Sequence, residues 1–263
     1  MLHSALLNVM IGAARKAARA LKRDFGEIEK LQVSLKGPGN YVSAADKRAE
    51  ETVYAELAKA RPGYGFLGEE GGHREGADKT HTWIVDPLDG TTNFLHGVPH
   101  FAISIALERE GTLMAGVVYN PVTDEMFVAE RGKGAFVNEQ RIRVAARREL
   151  KDALVACGLP HPNRGDLALN AREVAAMQPS VGGLREFGAA ALDLAFVAAG
   201  RFDAYWERDL SAWDMAAGTV LVREAGGYVS DLDGGDSMLA KGHIIAGNET
   251  LQRETLRLLK AAR

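Results

Sequence analysis

The residues best suited to chemistry lie in Trp83-Ile84-Val85-Asp86-Pro87-Leu88-Asp89-Gly90-Thr91-Thr92-Asn93-Phe94. The β-branched and aromatic run from Thr82 reads as a buried strand that delivers Asp86 at its end. Pro87 is expected to end that strand and turn the chain, with Asp89 three residues after Asp86 and Gly90 freeing the backbone. Two carboxylates held so close repel unless one is protonated or a cation lies between them. Oxygen-only ligands favour a hard divalent ion such as Mg²⁺ over Zn²⁺, and the Leu88 carbonyl is placed to add a further oxygen. The N–H groups of Gly90, Thr91 and Thr92 follow as a cradle for an anion, phosphate above all. The same residues also suit an ordinary Asp-Pro-x-Asp-Gly surface turn. A helix–loop–helix calcium site is excluded, because Leu88 and Gly97 stand at its third and twelfth positions. An aspartyl-phosphate phosphatase would want an acid at Leu88.

Other acids stand at the ends of elements, where α/β sheets build sites. Glu69 and Glu70 close the apolar piece Gly65–Gly68, between glycines. Asp46 lies in Ser43-Ala44-Ala45-Asp46, a capping-box spacing that opens a helix through Ala49, Val53 and Leu57. Asp214 follows Trp213 where the pattern Met215, Thr219, Val222 begins a further helix. The elements around these acids divide the chain. Leu2, Leu6, Val9, Ala13, Ala17 and Ala20 mark an amphipathic first helix, and 36–40 reads as a loop by its glycines and proline. Segments 101–109, 113–120, 125–130 and 134–144 read as strands of an antiparallel meander. Beyond about residue 150, strands at 152–157, 203–206, 227–231 and 243–246 alternate with helices at 166–177, 189–200, 213–225 and 249–261. An α+β half, 1–148, and an α/β half, 149–263, are therefore expected.

The 263 residues have a formal net charge of −3 and are 46% hydrophobic, which excludes a disordered or collagenous chain and does not favour a nucleic-acid binder. The single cysteine, Cys157, in the apolar run Leu154–Gly158, excludes an intrachain disulfide and reads as a small buried hydrophobe. The start lacks the shape of a signal peptide and no apolar run approaches the ~20 residues of a membrane span, so a soluble cytoplasmic protein is expected. His96 and His100 are not read as a zinc pair, because Gly97 and Pro99 argue against the helix that pair would ride. Arg141, Arg143, Arg147, Arg148 and Lys151 form a basic run that reads first as a solvated face.

Taken together, Gly68-Glu69-Glu70-Gly71, Trp83–Phe94, Gly188–Leu194, Trp213–Gly218 and Glu224-Ala225-Gly226-Gly227 resemble the inositol monophosphatase family, in particular its bacterial extragenic-suppressor branch. The resemblance runs from about Lys36 to Asn248. It implies an α/β fold built as a layered αβαβα sandwich, commonly a homodimer, that uses two or three Mg²⁺ and is inhibited by lithium. It implies that Glu69, Asp86 and the Leu88 carbonyl hold one metal, that Asp86, Asp89 and Asp214 hold a second, and that Glu69 touches a weaker third. Thr91, paired with Asp46, would orient the attacking water together with Glu69. The Gly90 and Thr91 amides would take the phosphate. Asp89, the Gly188-Ala189-Ala190 backbone and Glu207 would face the hydroxyls of a small phosphorylated polyol. Ala189 stands where relatives commonly carry Ser or Thr, Asp209 where Gly is common, Ser43 for a common Thr and Asn40 for a common Asp. The substrate expected is inositol monophosphate or a similar polyol phosphate. Fructose 1,6-bisphosphate, a nucleotide phosphate or histidinol phosphate would use the same chemistry. A regulatory protein that binds RNA or transcription factors is the alternative of another class, with the basic run as its local hint.

Overall fold

The computed structural model describes residues 3–27, 33–37, 40–160 and 165–263, with 33–37 and 40–43 described as backbone. Helix α1 (Ala5–Phe25) starts where the Ser4 hydroxyl accepts the Leu7 N–H at 3.1 Å, and its apolar face, from Leu7 to Leu21, is buried. Strands β1 (Val33–Gly37) and β2 (Asn40–Ser43) pair antiparallel and lead into α2 (Ala44–Ala60). Then come β3 (Tyr64–Gly68), β4 (Gly72–Arg74), β5 (Asp78–Asp89) and the short α3 (Thr91–Leu95). A meander follows: β6 (Ala102–Arg109), β7 (Thr112–Asn120), β8 (Glu125–Glu130), β9 (Gly134–Val137) and β10 (Gln140–Ile142). The second half runs β11 (Leu154–Cys157), α4 (Leu167–Met177), β12 (Gly183–Arg185), α5 (Ala190–Ala198) and β13 (Ala204–Glu207). It closes with α6 (Ala212–Glu224), β14 (Tyr228–Ser230), α7 (Met238–Lys241), β15 (Ile244–Gly247) and α8 (Glu249–Ala261).

Two sheets organise these elements. The larger has the order β10-β9-β8-β7-β6-β5-β3-β4, the smaller β12-β11-β13-β15-β14. Both are mixed. In the first, β3 joins β5 in parallel and the other pairs are antiparallel; in the second, β11 is parallel to β12 and to β13. The strands are buried on both faces, and alternate residues join opposite cores, which defines the layers. Trp83, Val85 and Leu88 of β5 pack with α1 and α2, whereas Ile84 packs with α5 and α6. In the second sheet Ala156, Tyr205 and Ala246 face α5 and α6, while Val155, Cys157, Trp206 and Ile245 pack with Met177 of α4 and with Leu251 and Leu259 of α8. The result is a five-layer αβαβα sandwich. α5 is buried nearly all round because it lies between two sheets, so its sequence is apolar on all sides except at Asp193.

Residue 148 lies in the connection between β10 and β11, and the core around α5 and α6 draws on both sides of it. Cys157 is buried, as its apolar neighbours suggest. Among the described residues no helix is long and apolar enough to cross a membrane.

The structure corrects the sequence reading in three places. The segment 134–144 is two strands, because Asn138 and Glu139 both take positive φ and reverse the chain between β9 and β10. Residues 36, 37 and 40 belong to the β1–β2 pair rather than to a loop; Pro38 and Gly39 lie outside the described residues, as does the Ser43 side chain of the expected capping box. Finally, Pro87 does not end its strand, and this correction bears on the site.

Candidate functional site

β5 continues through Pro87 to Asp89, pairing Asp86 with Ser104 and Asp89 with Ala102 of β6. Three steps along β5 thus match two along β6, which is a β-bulge at Pro87-Leu88. In a regular strand, residues three apart face opposite sides. The extra residue brings Asp86 and Asp89 to one face while Leu88 points into the core with α1 and α2. Proline is tolerated there because a bulged residue need not donate to the ladder. The Leu88 N–H turns back to Asp86 Oδ1 at 2.9 Å, and the Thr91 hydroxyl donates to the Leu88 carbonyl at 2.9 Å. That carbonyl keeps a second lone pair. Gly90 has φ +85, and a Cβ on it would come within 2.9 Å of the His100 carbonyl, so both backbone and space require glycine.

Three other elements bring acids to this bulge, and a fourth brings a backbone N–H. Gly68 pairs with Val85 across the parallel β3–β5 ladder, so Glu69 leaves β3 level with Asp86. Asp46 sits in the first turn of α2, buried. One oxygen from each of Asp46, Glu69 and Glu70 lies within 4.8 Å of the others. Asp214 sits in the first turn of α6 and accepts the Ser211 N–H at 2.7 Å. At the start of α5 the Ala191 N–H donates to Asp89 Oδ2 at 2.8 Å, joining the helix layer to the sheet.

The electrostatics follow from this convergence. Burial pushes the Asp86 carboxyl well above the usual range, and Glu69, Asp89, Asp214 and Asp46 push it further. Burial and Asp214 do the same to Asp89, against the Ala191 hydrogen bond, which lowers it. The charged groups that weigh most on both aspartates are thus other carboxylates. A set of hard oxygen donors with repulsion of this kind fits divalent cations such as Mg²⁺.

Glu207 ends β13 beside this cluster. Burial raises its carboxyl to about 8, against the hydrogen bond that Tyr205 Oη donates to it. Gly158 packs flat on Glu207, whose carboxylate occupies the space a Cβ would need. Arg208 turns away to the fully buried Glu173 of α4. Asp209 takes φ +59, the left-handed region, which accounts for glycine being the easier residue there. Gly188, with φ +70, Ala189 and Ala190 lead into α5 opposite Gly90, and the Ala189 Cβ would lie 3.2 Å from a Cβ at Gly90. His100 packs against Phe187 and Phe196 and faces the buried Asp193 at 3.7 Å.

The sequence reading named Glu70 beside Glu69 without giving it a role, and the structure brings it to Asp46 and Glu69. Two contributors were missed. Ala191 acts through its backbone and gave no signal in its side chain. Glu50 holds the Glu69–Glu70 turn from α2, and an acid on the stripe of Ala49 and Val53 was the clue.

Residues 3–263 match the model of the inositol monophosphatase family. A protein named inositol-1-monophosphatase from Mesorhizobium japonicum is 60% identical over 99% of this chain and 98% of its own. One named Nus factor SuhB from Pseudomonas aeruginosa is 47% identical over 92% of this chain and 91% of its own. The crystal structure of extragenic suppressor protein suhB from Bartonella henselae superposes with a TM-score of 0.94 at 56% identity, covering 98% of this chain and 99% of that one. Inositol monophosphatase from Anabaena gives a TM-score of 0.86 at 35% identity, over 97% and 95% of the two chains.

Proposed function

The chain belongs to the inositol monophosphatase family, and from that premise we propose that it is a Mg²⁺-dependent phosphomonoesterase that hydrolyses inositol monophosphate, or a similar polyol phosphate, to the free polyol and inorganic phosphate. The observation that carries this reading is the burial of Asp86 and Asp89 on one face of a bulged strand, with other carboxylates as their main charged neighbours. Such a pair suits two or three divalent ions held by Glu69, Asp86, the Leu88 carbonyl, Asp89 and Asp214. When bound, the ions supply a hydroxide at neutral pH and offset charge on the phosphoryl group and the leaving alkoxide.

The protein's own groups do the rest. Glu69, with Asp46 and Thr91, holds the attacking water and accepts its proton. The Gly90 and Thr91 amides donate to the phosphoryl oxygens, where charge stabilisation counts most. Asp89, the Gly188-Ala189-Ala190 backbone and Glu207 accept or donate hydrogen bonds to the polyol hydroxyls and fix the ester in line. With a metal-activated water as nucleophile, no phosphoenzyme is needed. The same reading carries a cytoplasmic homodimer and inhibition by lithium.

The test is phosphate release from a panel of inositol, fructose 1,6-bisphosphate, nucleotide and histidinol phosphates, with Mg²⁺ and with a chelator. Inositol monophosphate should give the highest kcat/KM, and only with Mg²⁺. Asp89→Asn should abolish turnover and leave the fold intact, since the amide keeps an acceptor for Ala191. Near-wild-type hydrolysis by that variant at saturating Mg²⁺ would overturn the site.

A second reading is favoured by the relatives named Nus factor SuhB, such as that of Pseudomonas aeruginosa. Arg141, Arg143, Arg148 and Lys151 are exposed, while Arg147 pairs with the buried Asp203. An RNA-binding role predicts salt-dependent binding that falls when these side chains are neutralised.

A further inference from the structure

Glu50 is a buried carboxylate to which the proposed chemistry gives no role. It lies on α2 one helical turn after Asp46, so both acids share a face. Only 3% of Glu50 is exposed. Its two oxygens are both used: Oε2 accepts the Glu70 N–H and Oε1 the Gly71 N–H, each at 2.7 Å. The turn is shaped to receive it. A Cβ at Gly68 would run into Glu50 Oε2, and one at Gly71 would lie 2.7 Å from Oε1. The motif Gly68-Glu69-Glu70-Gly71 therefore has two faces. Its acids turn toward Asp46, and its backbone and glycines close on Glu50.

We propose that Glu50 is a positioning residue for the metal site: it grips the Glu70 and Gly71 amides and so fixes Glu69 and Glu70 against Asp46 from the same helix. This rests on the reading that Glu69 and its partners bind divalent ions. The physical case is one of like charges. Glu69, Glu70 and Asp46 repel one another before an ion arrives, and their oxygens lie within 4.8 Å. An unrestrained turn would splay them apart, and each ion would then have to pull the turn back. Two charge-assisted hydrogen bonds to adjacent amides hold the turn without adding a cation that would compete with the ion. A lysine or arginine in place of Glu50 would instead neutralise the cluster. Groups that hold a metal's ligands in place through hydrogen bonds tune metal affinity by about 10–100-fold.

The test compares Mn²⁺ binding, read by the spin-resonance signal of the free ion, with the Mg²⁺ concentration that half-saturates hydrolysis. In Glu50→Gln one amide loses its acceptor and meets an N–H₂ group instead. About tenfold weaker Mn²⁺ binding and a similar rise in the Mg²⁺ half-saturation are expected, with the substrate KM at saturating Mg²⁺ within twofold of wild type. Glu51→Gln, on the exposed face of α2, should change neither. Unchanged Mn²⁺ affinity in a folded Glu50→Gln protein overturns the proposal, and so does a fall in melting temperature with no change in metal binding. Should Glu50→Gln fail to fold, Gly71→Ala crowds Glu50 from the other side, and the same two outcomes decide. If wild-type protein binds Mn²⁺ but hydrolyses no phosphate ester, the functional reading fails while the binding comparison still judges Glu50.

Discussion

Asp89 and Asp231 are both nearly buried carboxylates, and their neighbours drive them in opposite directions. Around Asp89 burial and Asp214 raise the carboxyl, with a single amide against them. Burial also raises Asp231, but Lys241 at 2.9 Å and the Gly235 and Asp233 amides, each at 2.8 Å, outweigh it and hold the carboxyl down to about 2. A folded-state value below the unfolded one means the carboxylate contributes stability above about pH 4 that is lost as pH falls toward 2. Wild-type protein should therefore lose stability between pH 4 and pH 2 more steeply than Asp231→Asn. Urea unfolding at several pH values checks this, and parallel slopes for the two proteins would count against it. At this scale the acids that the structure brings together were legible: Asp46, Glu69, Asp86, Asp89 and Asp214 all stand out by type and position. Ala191 was not, because a backbone N–H is the same for every residue but proline.

Between residue and fold, the elements act as mounts. α6 carries Asp214 at its start, and α5 presents the Ala191 N–H, so the distance between these two helices affects the site. Gly218 sets that distance. A Cβ there would lie 2.5 Å from Leu194 Cβ on α5, and neither atom is the end of a flexible chain. Gly218→Ala gains about 1 kcal/mol of helix propensity. It should lose more than this through overpacking, which costs about 1–3 kcal/mol. A net destabilisation of about 1 kcal/mol in urea unfolding is expected, together with a raised Mg²⁺ requirement. A more stable variant with unchanged Mg²⁺ dependence would show that the helices separate without disturbing the acids.

Over the whole molecule, the acids come from three adjacent layers: Asp46 from the outer helices, Glu69, Asp86 and Asp89 from the larger sheet, and Asp214 from the helices between the sheets. On the proposed reading an ion bound at this point would tie the layers together and relieve their repulsion, and a ligand that binds only the folded chain stabilises it by about 2.7 kcal/mol at a hundred times its Kd. For a chain of this length that corresponds to a rise in Tm of about 5–8 °C. Thermal scans in millimolar Mg²⁺ and in chelator should differ by this amount for wild type, and far less for Asp89→Asn. Equal melting temperatures with and without Mg²⁺ would argue against a metal centre that spans the layers.

The sequence by itself determined the periodic elements and the inventory of acids. The helices at 166–177, 189–200, 213–225 and 249–261 return within a residue or two, because the residues that favour each helix are local to its own segment. What only the tertiary structure decided is which elements meet. The bulge at Pro87-Leu88 is invisible along the chain, since it exists only relative to the register of β6. The short strands β4 and β12 have too few residues to show a period and form because a neighbour offers a free edge. Glu50 reads as one more helix acid until the turn 69–71 folds onto it. Local preference acts over a few residues, whereas the site joins groups up to 168 positions apart, from Asp46 to Asp214. Only packing brings such groups to one point.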